Sequence, residues 1–202
     1  LGVGAGWQER EHTAFGFDLL PLAERMDRFE EGLEVISRLL RSDGPASFQG
    51  RTYRLHEAVL LPRPQRPDGP PILIGGNGPR RTLPLVARYA DEWNAVYIPP
   101  TRFIELSARL DSLLIEQNRP ASAVRRSLMT GLFFGRDEAE LRAKLENRDP
   151  ASLRERGVIV GTPNEVLEQL NTLALAGVQR VMLQWLALDD LAGLEALAEA
   201  VL

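Results

Sequence analysis

The sequence predicts an α/β fold built on a parallel sheet, and three observations point to it. Beyond residue 70, short apolar runs alternate with helical stripes, ending in a strand over 180–186 and a helix over 190–201. The run Pro70-Pro71-Ile72-Leu73-Ile74 is apolar on both faces, as a strand covered on both sides must be. It flows directly into Gly75-Gly76-Asn77-Gly78 and then a helical pattern, the order of a βα unit.

The chain opens on Leu1-Gly2-Val3-Gly4-Ala5-Gly6-Trp7, which reads as the end of a buried strand entering a glycine loop. No initiator methionine precedes it, so a missing upstream segment is expected. Residues 8–20 have loop character around Gly16 and contain Glu11 and His12. Leu22, Met26, Phe29, Leu33, Ile36 and Leu40 form one apolar stripe, with Pro21 suited to the first turn. Glu24/Arg28 and Glu34/Arg38 pair on the wet side of this scaffold helix. Residues 44–70 form an excursion. Within it, residues 47–55 read as a hairpin turning at Gln49-Gly50, and Pro62, Pro64, Pro67, Pro70 and Pro71 stiffen the exit. His56 belongs there as a surface residue.

The helix after the glycine loop starts at Pro79 or at Thr82. Pro84 fits a first turn if Thr82 is the N-cap, which lengthens the loop to include Arg80 and Arg81. Residues 90–98 read as a strand, and Phe103, Leu106, Leu110 and Leu113 stripe the next helix. A strand over 127–134 follows, then Asp137 and Glu140 in a capping-box pattern. Residues 149–160 show no clear pattern. Thr162, Pro163 and Glu165 start a helix that ends near Gly177.

With the opening stub and its long helix, five βα units result. A doubly wound open sheet and a (β/α)8 barrel both fit this alternation. A complete barrel takes about 250 residues, so five units in 202 residues would be its C-terminal portion, and the mid-strand start suits that architecture. Either fold binds ligands at the C-terminal strand ends. Gly4-Ala5-Gly6-Trp7, the 75–82 loop and Trp93-Asn94 all fall there.

Composition narrows the chemistry. A net charge of −4 argues against a nucleic-acid surface. No apolar run approaches the roughly 20 residues of a membrane span, and no signal peptide is visible, so a cytoplasmic location is the default. Cysteine is absent and only two histidines occur, so no metal site is expected. Of 24 basic residues only Lys144 is lysine, and its charged helical setting disfavours Schiff-base chemistry.

The Gly75 loop is neither a P-loop, lacking Gly-Lys-Ser/Thr, nor a dinucleotide fingerprint, lacking the third glycine. A phosphate held by loop amides and by Arg80 or Arg81 is its best functional reading, while solvated helix-start arginines are the bland one. Trp7 either walls a planar ligand or plugs the sheet mouth. Glu11 and His12 are proton donor or acceptor candidates, with a structural role equally open.

Taken together, several segments closely resemble the bacterial luciferase-like flavin monooxygenase superfamily, in the flavour of its deazaflavin-dependent oxidoreductase branch. They are Leu1-Gly2-Val3-Gly4-Ala5-Gly6-Trp7 with Glu11-His12, Glu24-Arg25, Phe48-x-Gly50-x-x-Tyr53, Pro71-Ile72-Leu73-Ile74-Gly75-Gly76-x-Gly78-Pro79-Arg80-Arg81-Thr82, Ala90-Asp91-Glu92-Trp93-Asn94 and Gly161-Thr162-Pro163. Each piece is weak alone; their order and spacing together are specific. The resemblance implies a luciferase-like TIM barrel whose fourth strand ends at the first glycine loop, so that about three strands are absent. It implies a deazaflavin coenzyme F-420, or alternatively FMN, with its ring in the barrel mouth. Gly75, Gly76, Gly78 and Pro79 match the family's phosphate loop, with Asn77 and Arg80 beside them. Ala5, Gly6 and Trp7 match the loop at the ring. Some relatives carry an acid/base glutamate where Trp7 stands, so that role does not transfer. The lysine shortage weighs against a sugar-phosphate substrate.

The leading expectation is therefore a flavin- or deazaflavin-dependent oxidoreductase acting on a small organic substrate, with Glu11 and His12 as polar partners and a homodimer as its assembly. The alternative is a truncated, non-catalytic relative that binds cofactor or forms dimers, or an incomplete gene product. A sugar-phosphate isomerase or aldolase barrel ranks third, because no carboxylate pair stands at the strand ends.

Overall fold

The computed structural model describes all residues except Pro67 and Leu202, so Pro67 of the proline-stiffened exit lies outside the described residues. Strand β1 (Gly2–Val3) leads through α1 (Glu9–Phe15) to the long α2 (Leu22–Arg41). β2 (Ala46–Gln49) and β3 (Arg54–Ala58) form a separate antiparallel hairpin. Then come β4 (Leu73–Gly75) with α3 (Thr82–Tyr89), and β5 (Glu92–Val96) with α4 (Pro100–Glu116). β6 (Arg125–Phe134) carries α5 (Glu138–Leu145) and α6 (Pro150–Glu155). β7 (Ile159–Gly161) precedes α7 (Pro163–Leu175), and β8 (Arg180–Gln184) precedes α8 (Leu191–Val201).

The main sheet is parallel throughout, in the order β1-β4-β5-β6, with β8 and β7 both on β6. β8 runs beside residues 127–131 of β6, and β7 beside its last residues, 132–134. β7 is thus a short addition on the overhanging end of β6, and β1, β4, β5, β6 and β8 are the five expected units. Among the described residues β1 pairs only with β4 and β8 only with β6, so the sheet is an open arc of a barrel.

The arc curls toward one face. Glu92 on β5 and Arg180 on β8 flank β6 on opposite sides, yet their side chains meet at 3.1 Å. One layer higher, Asn94 Nδ2 donates to Ser127 Oγ at 2.9 Å and reaches Met182 Sδ at 3.7 Å. Register places each of these on the same face, because directly paired parallel-strand residues share a side.

The convex face is the apolar core. Ile74, Trp93 and Leu128 are completely buried there, and Trp93 stacks on Phe103 of α4 with centroids 5.2 Å apart. Leu83 and Val86 of α3 and Leu106 and Leu110 of α4 join the same cluster. Arg126 also points to this side and is held by Asp111, Ser107 and the carbonyls of Ala121 and Val124.

Local signals behave as the residues suggest, with four corrections. Asp137 caps α5 by accepting from Glu140 N–H at 2.8 Å, and Glu165 Oε2 accepts from Thr162 N–H at 2.9 Å at the start of α7. The α2 stripe buries only its centre, Met26 and Leu33, while Leu22 stays 65% exposed. The expected two-residue hairpin turn is longer. Glu31 accepts from the backbone N–H groups of Arg51, Thr52 and Tyr53, and a Cβ at Gly50 would lie 2.4 Å from its Oε2. Those N–H donors hold the Glu31 carboxyl below the ordinary carboxylate range. Residues expected to loop around Gly16 instead form α1, and residues 149–160 contain α6 and enter β7. Thr82 is the first residue of α3, after an Arg81 N-cap, so it is one place inside the cap expected for it.

Candidate functional site

The loop after β4 is tied down on its β5 side. Gly76 N–H donates to Asn94 O at 3.0 Å, and Trp93 Nε1 donates to Gly76 O at 2.9 Å. Asn77 uses its whole amide on Val96: Nδ2 donates to Val96 O at 2.6 Å, and Oδ1 accepts from Val96 N–H at 3.0 Å. The side chain thereby imitates one more rung of the β4–β5 ladder. Gly76 adopts a φ of +127°, open to glycine and costly for other residues. At Gly78 a Cβ would lie 2.8 Å from Thr82 Oγ1, so a side chain there would force Thr82 to shift where the loop closes on α3.

These ties leave a cluster of unused donors. The backbone N–H groups of Asn77, Gly78, Arg80, Arg81 and Thr82 find no acceptor among the described residues. They lie on one loop and on the first turn of α3, where no side chain caps the helix. Unpaired amides and the positive end of the helix dipole make such a turn an anion site. Arg81 is engaged elsewhere, on Asp27 at 2.7 Å and Glu30 at 3.6 Å. Arg80 is exposed, with no hydrogen bond or ion pair among the described residues, and is the cation left for a ligand.

The concave face beside this loop carries glycine at several positions. Register sets Gly75 opposite Asn94 and Gly2 opposite Leu73 on that face. A Cβ built at Gly2, Gly4 or Gly75 meets no atom within 4 Å. Gly75 has neither a positive φ nor a crowding neighbour, so the fold does not require glycine there.

The β1 loop comes next. Gly6 has a φ of +78°, and its carbonyl accepts from Arg25 Nη1 at 2.7 Å. The His12 ring packs against it, with Cε1 and Nε2 each 3.2 Å from where a Cβ would stand. His12 Nδ1 lies 2.8 Å from Gln8 O. A carbonyl only accepts, so Nδ1 carries the hydrogen and the neutral ring presents a bare Nε2 to the Gly6 loop. Glu11 is the adjacent residue of α1, about 100° around the helix. It is exposed and makes no hydrogen bond among the described residues. Trp7 is 80% exposed and plugs nothing, whereas Ala5 packs partly buried against the core. The two glycine loops are neighbours, because β1 and β4 pair directly.

Three residues absent from the sequence-derived site complete this end. Arg25 fastens the Gly6 carbonyl. Tyr97, just past β5, donates its hydroxyl to Gln184 at the end of β8. Glu24-Arg25 was visible as a motif but gave no hint of its partner, and nothing in sequence links residues 97 and 184.

The larger concavity, about 1150 Å³, opens at the opposite, N-terminal strand ends around Glu92, Arg125 and Arg180. In barrels that end serves stability. A groove of about 520 Å³ runs between β1 and α2, lined by Gly4, Gly6, His12 and Arg25 among others. Strong ionic perturbation occurs away from both loops. Lys144 and then Arg136 hold the Glu140 carboxyl down at about 2, and Tyr89 followed by Arg38 lowers Glu34. These are fastenings between helices and loops.

Comparison with known proteins gives a consistent picture. Residues 1–153 match the model of the luciferase-like monooxygenase family. The phthiodiolone/phenolphthiodiolone dimycocerosates ketoreductase of Mycobacterium bovis BCG is 30% identical over 151 residues, covering 73% of this chain and 38% of the relative. An F420-dependent glucose-6-phosphate dehydrogenase of Kineococcus radiotolerans is 33% identical over 98 residues, or 48% of this chain and 26% of the relative. An F420-dependent secondary alcohol dehydrogenase, solved with an F420-acetone adduct, superposes with a TM-score of 0.76 at 20% identity, covering 91% of this chain and 62% of that one. The chain therefore spans less than two thirds of the length of each of these proteins.

Proposed function

The chain belongs to the luciferase-like monooxygenase family, and from that premise we propose that it contributes to an oxidoreductase using a deazaflavin, with FMN as the alternative, on a small organic substrate. The observation that carries the proposal is the glycine wall beside unused amides. Gly75 is required by no contact and no dihedral among the described residues, and it stands next to five backbone N–H groups that find no acceptor among them.

The residues present fit such a cofactor. In this reading the N–H groups of Asn77, Gly78, Arg80, Arg81 and Thr82 and the Arg80 guanidinium would hold the phosphate of the tail, and Gly76, Gly78 and Pro79 shape the turn that brings those amides close. Asn77 acts indirectly, by locking the loop to Val96. Ala5, Gly6 and Trp7 would border the ring, and Gly4 and Gly75 leave space beside them for it. When bound, the cofactor supplies hydride transfer, and the protein supplies orientation and a site from which water is excluded. His12 is the better placed of the two proton partners, with its bare Nε2 at the Gly6 loop; Glu11 serves only from the solvent side. Glutamate chemistry at Trp7 is unavailable to this chain.

Titration of the purified protein with F420 and with FMN, followed by cofactor fluorescence, tests the proposal. Saturable binding of one of them supports it, and binding of neither overturns it. A second reading, cofactor binding without turnover, is favoured by the two sheet edges left unpaired among the described residues. Those edges also motivate the proposal of a homodimer, because exposed strand edges seek partners; sedimentation analysis decides it. No described helix is long and apolar enough to cross a membrane, and a cytoplasmic location is proposed with the rest.

A further inference from the structure

Tyr97 is out of place by every local rule. It has a φ of +49°, a left-handed conformation that an aromatic residue rarely adopts and that costs on the order of 1–3 kcal/mol. It stands immediately past β5, at the ligand-binding end of the sheet, and is 37% exposed. Its backbone is nevertheless pinned: Tyr97 N–H donates to Met129 O at 3.0 Å, and Asn77 grips the preceding residue. The neighbouring strand makes room for the ring. A Cβ at Gly131 of β6 would meet Tyr97 Oη at 3.1 Å and Cε1 at 3.2 Å. Register pairs Gly131 with Gln184 of β8, whose Oε1 accepts the Tyr97 hydroxyl hydrogen.

Tyr97, Gly131 and Gln184 therefore form the top layer of the concave face, above the Asn94–Ser127–Met182 layer and the Glu92–Arg180 layer. The hydrogen-bond inventory of this layer is half spent. Tyr97 has donated its only hydrogen, and its oxygen lone pairs remain as acceptors. Gln184 has accepted through Oε1, and its Nε2 makes no hydrogen bond among the described residues, leaving two N–H donors. If the ring only covered the core, phenylalanine would suffice and the partner amide would be idle.

We infer that Tyr97 and Gln184 form the substrate-oxygen subsite of the proposed oxidoreductase. Gln184 Nε2 donates to a carbonyl oxygen, and Tyr97 Oη accepts from a hydroxyl. One dyad thereby recognises both members of a ketone–alcohol pair, without either residue changing protonation. The inference rests on the oxidoreductase reading for its biological meaning, but the dyad's chemistry is testable without cofactor. Gln184 is placed by its register with Gly131, and Tyr97 by its backbone bond to Met129 on the same strand, so the remaining donors and acceptors of the pair favour carbonyl and hydroxyl compounds over hydrocarbons.

The chain has three tyrosines, Tyr53, Tyr89 and Tyr97, so fluorotyrosine labelling gives three ¹⁹F signals, and Tyr97→Phe assigns one of them. Cyclohexanone and cyclohexanol are titrated against the labelled chain, with methylenecyclohexane as the isosteric probe without oxygen. A saturable shift of the Tyr97 signal is expected with both oxygenated probes and not with methylenecyclohexane, and the cyclohexanone shift should vanish in Gln184→Leu. No shift, or an equal shift with all three probes, overturns the inference whether or not a cofactor binds. In the cofactor-loaded protein, Gln184→Leu should raise KM for the carbonyl substrate, and Tyr97→Phe should raise KM for the alcohol, each by about tenfold, the scale of one lost hydrogen bond to substrate, while cofactor affinity stays unchanged. Loss of cofactor binding by the unmodified protein refutes the oxidoreductase reading. Intact cofactor binding with unaltered KM in both variants refutes the subsite alone.

Discussion

Glycine at position 75 separates a requirement of the fold from a requirement of the ligand, and its neighbour Gly78 provides the contrast. At Gly75 a Cβ meets nothing within 4 Å and φ lies outside the left-handed region. Gly75→Ala should therefore leave folding stability within about 0.5 kcal/mol, or raise it by about 0.4–1 kcal/mol by restricting the unfolded chain. Gly75→Val places branched methyl groups on the open concave face; it should fold normally but weaken F420 or FMN binding at least tenfold, about 1.4 kcal/mol. Gly78→Ala behaves in the opposite way. Its Cβ would stand 2.8 Å from Thr82 Oγ1 and 3.4 Å from Thr82 Cβ, so Thr82 must move, at a cost of about 1–3 kcal/mol. Removing the obstructing hydroxyl in Gly78→Ala/Thr82→Ala leaves only ordinary contacts, and the two substitutions should be coupled by about 1–2 kcal/mol. Urea unfolding of these four variants and of Thr82→Ala alone, alongside fluorescence titration with cofactor, measures both quantities. Destabilisation of Gly75→Ala by more than about 1 kcal/mol would mean that the fold itself demands this glycine. Full cofactor affinity in Gly75→Val would mean that no ligand lies against it.

Other expectations concern the supports of the site. Asn77→Ala removes both hydrogen bonds to Val96; it should cost about 1–2 kcal/mol in urea unfolding and raise cofactor off-rates by loosening the amide cluster. Arg126→Met leaves the carbonyls of Ala121 and Val124 without their buried donor and should cost about 2–3 kcal/mol by the same measurement. Lys144→Met breaks two ion pairs of 2.8 Å, to Glu140 and Asp190, and frees the Trp185 ring beneath its ammonium group; a loss of about 1 kcal/mol at neutral pH is expected, these groups being partly exposed. Glu140 is held down at about 2 from an ordinary 4.5, chiefly by Lys144. Its contribution is fully present above 4.5 and is lost as pH falls toward 2, so unfolding followed across that window should be steeper in the parent than in Lys144→Met.

Periodicity and turn chemistry carried most of the fold. The α2 stripe, the Asp137 and Thr162 caps and the strand-loop-helix order at Gly75 could be read directly, because each signal spans only a few adjacent residues. α1 escaped because none of its residues is buried, so it has no apolar stripe to betray it. β7 escaped because three residues are too few to show alternation, and it forms by adding to the overhang of β6. Loop residues of the candidate site were legible as glycines, but their separate reasons were not: a positive φ at Gly76, a close approach at Gly78 and open space at Gly75 look identical in sequence. Asn77 reads as a polar loop residue facing a ligand, whereas its amide is consumed by Val96. Arg80 and Arg81 read as equivalent; only the packing of α3 against α2 shows that Asp27 and Glu30 take Arg81. Tyr97 and Gln184 are 87 residues apart and meet through β6, a neighbour relation set by strand order rather than by any local pattern.

Backbone amide shifts on adding F420 to the ¹⁵N-labelled chain test the cradle most directly. The expected result is a saturable set of shifts centred on Asn77, Gly78, Arg80, Arg81 and Thr82, whose amides are unused among the described residues, and extending to Gly4, Gly6 and Gly75. Shifts confined to the N-terminal concavity around Arg125 and Arg180, or no shifts with F420 and none with FMN, would contradict the assignment of Gly75 and the α3 turn as the cofactor's seat.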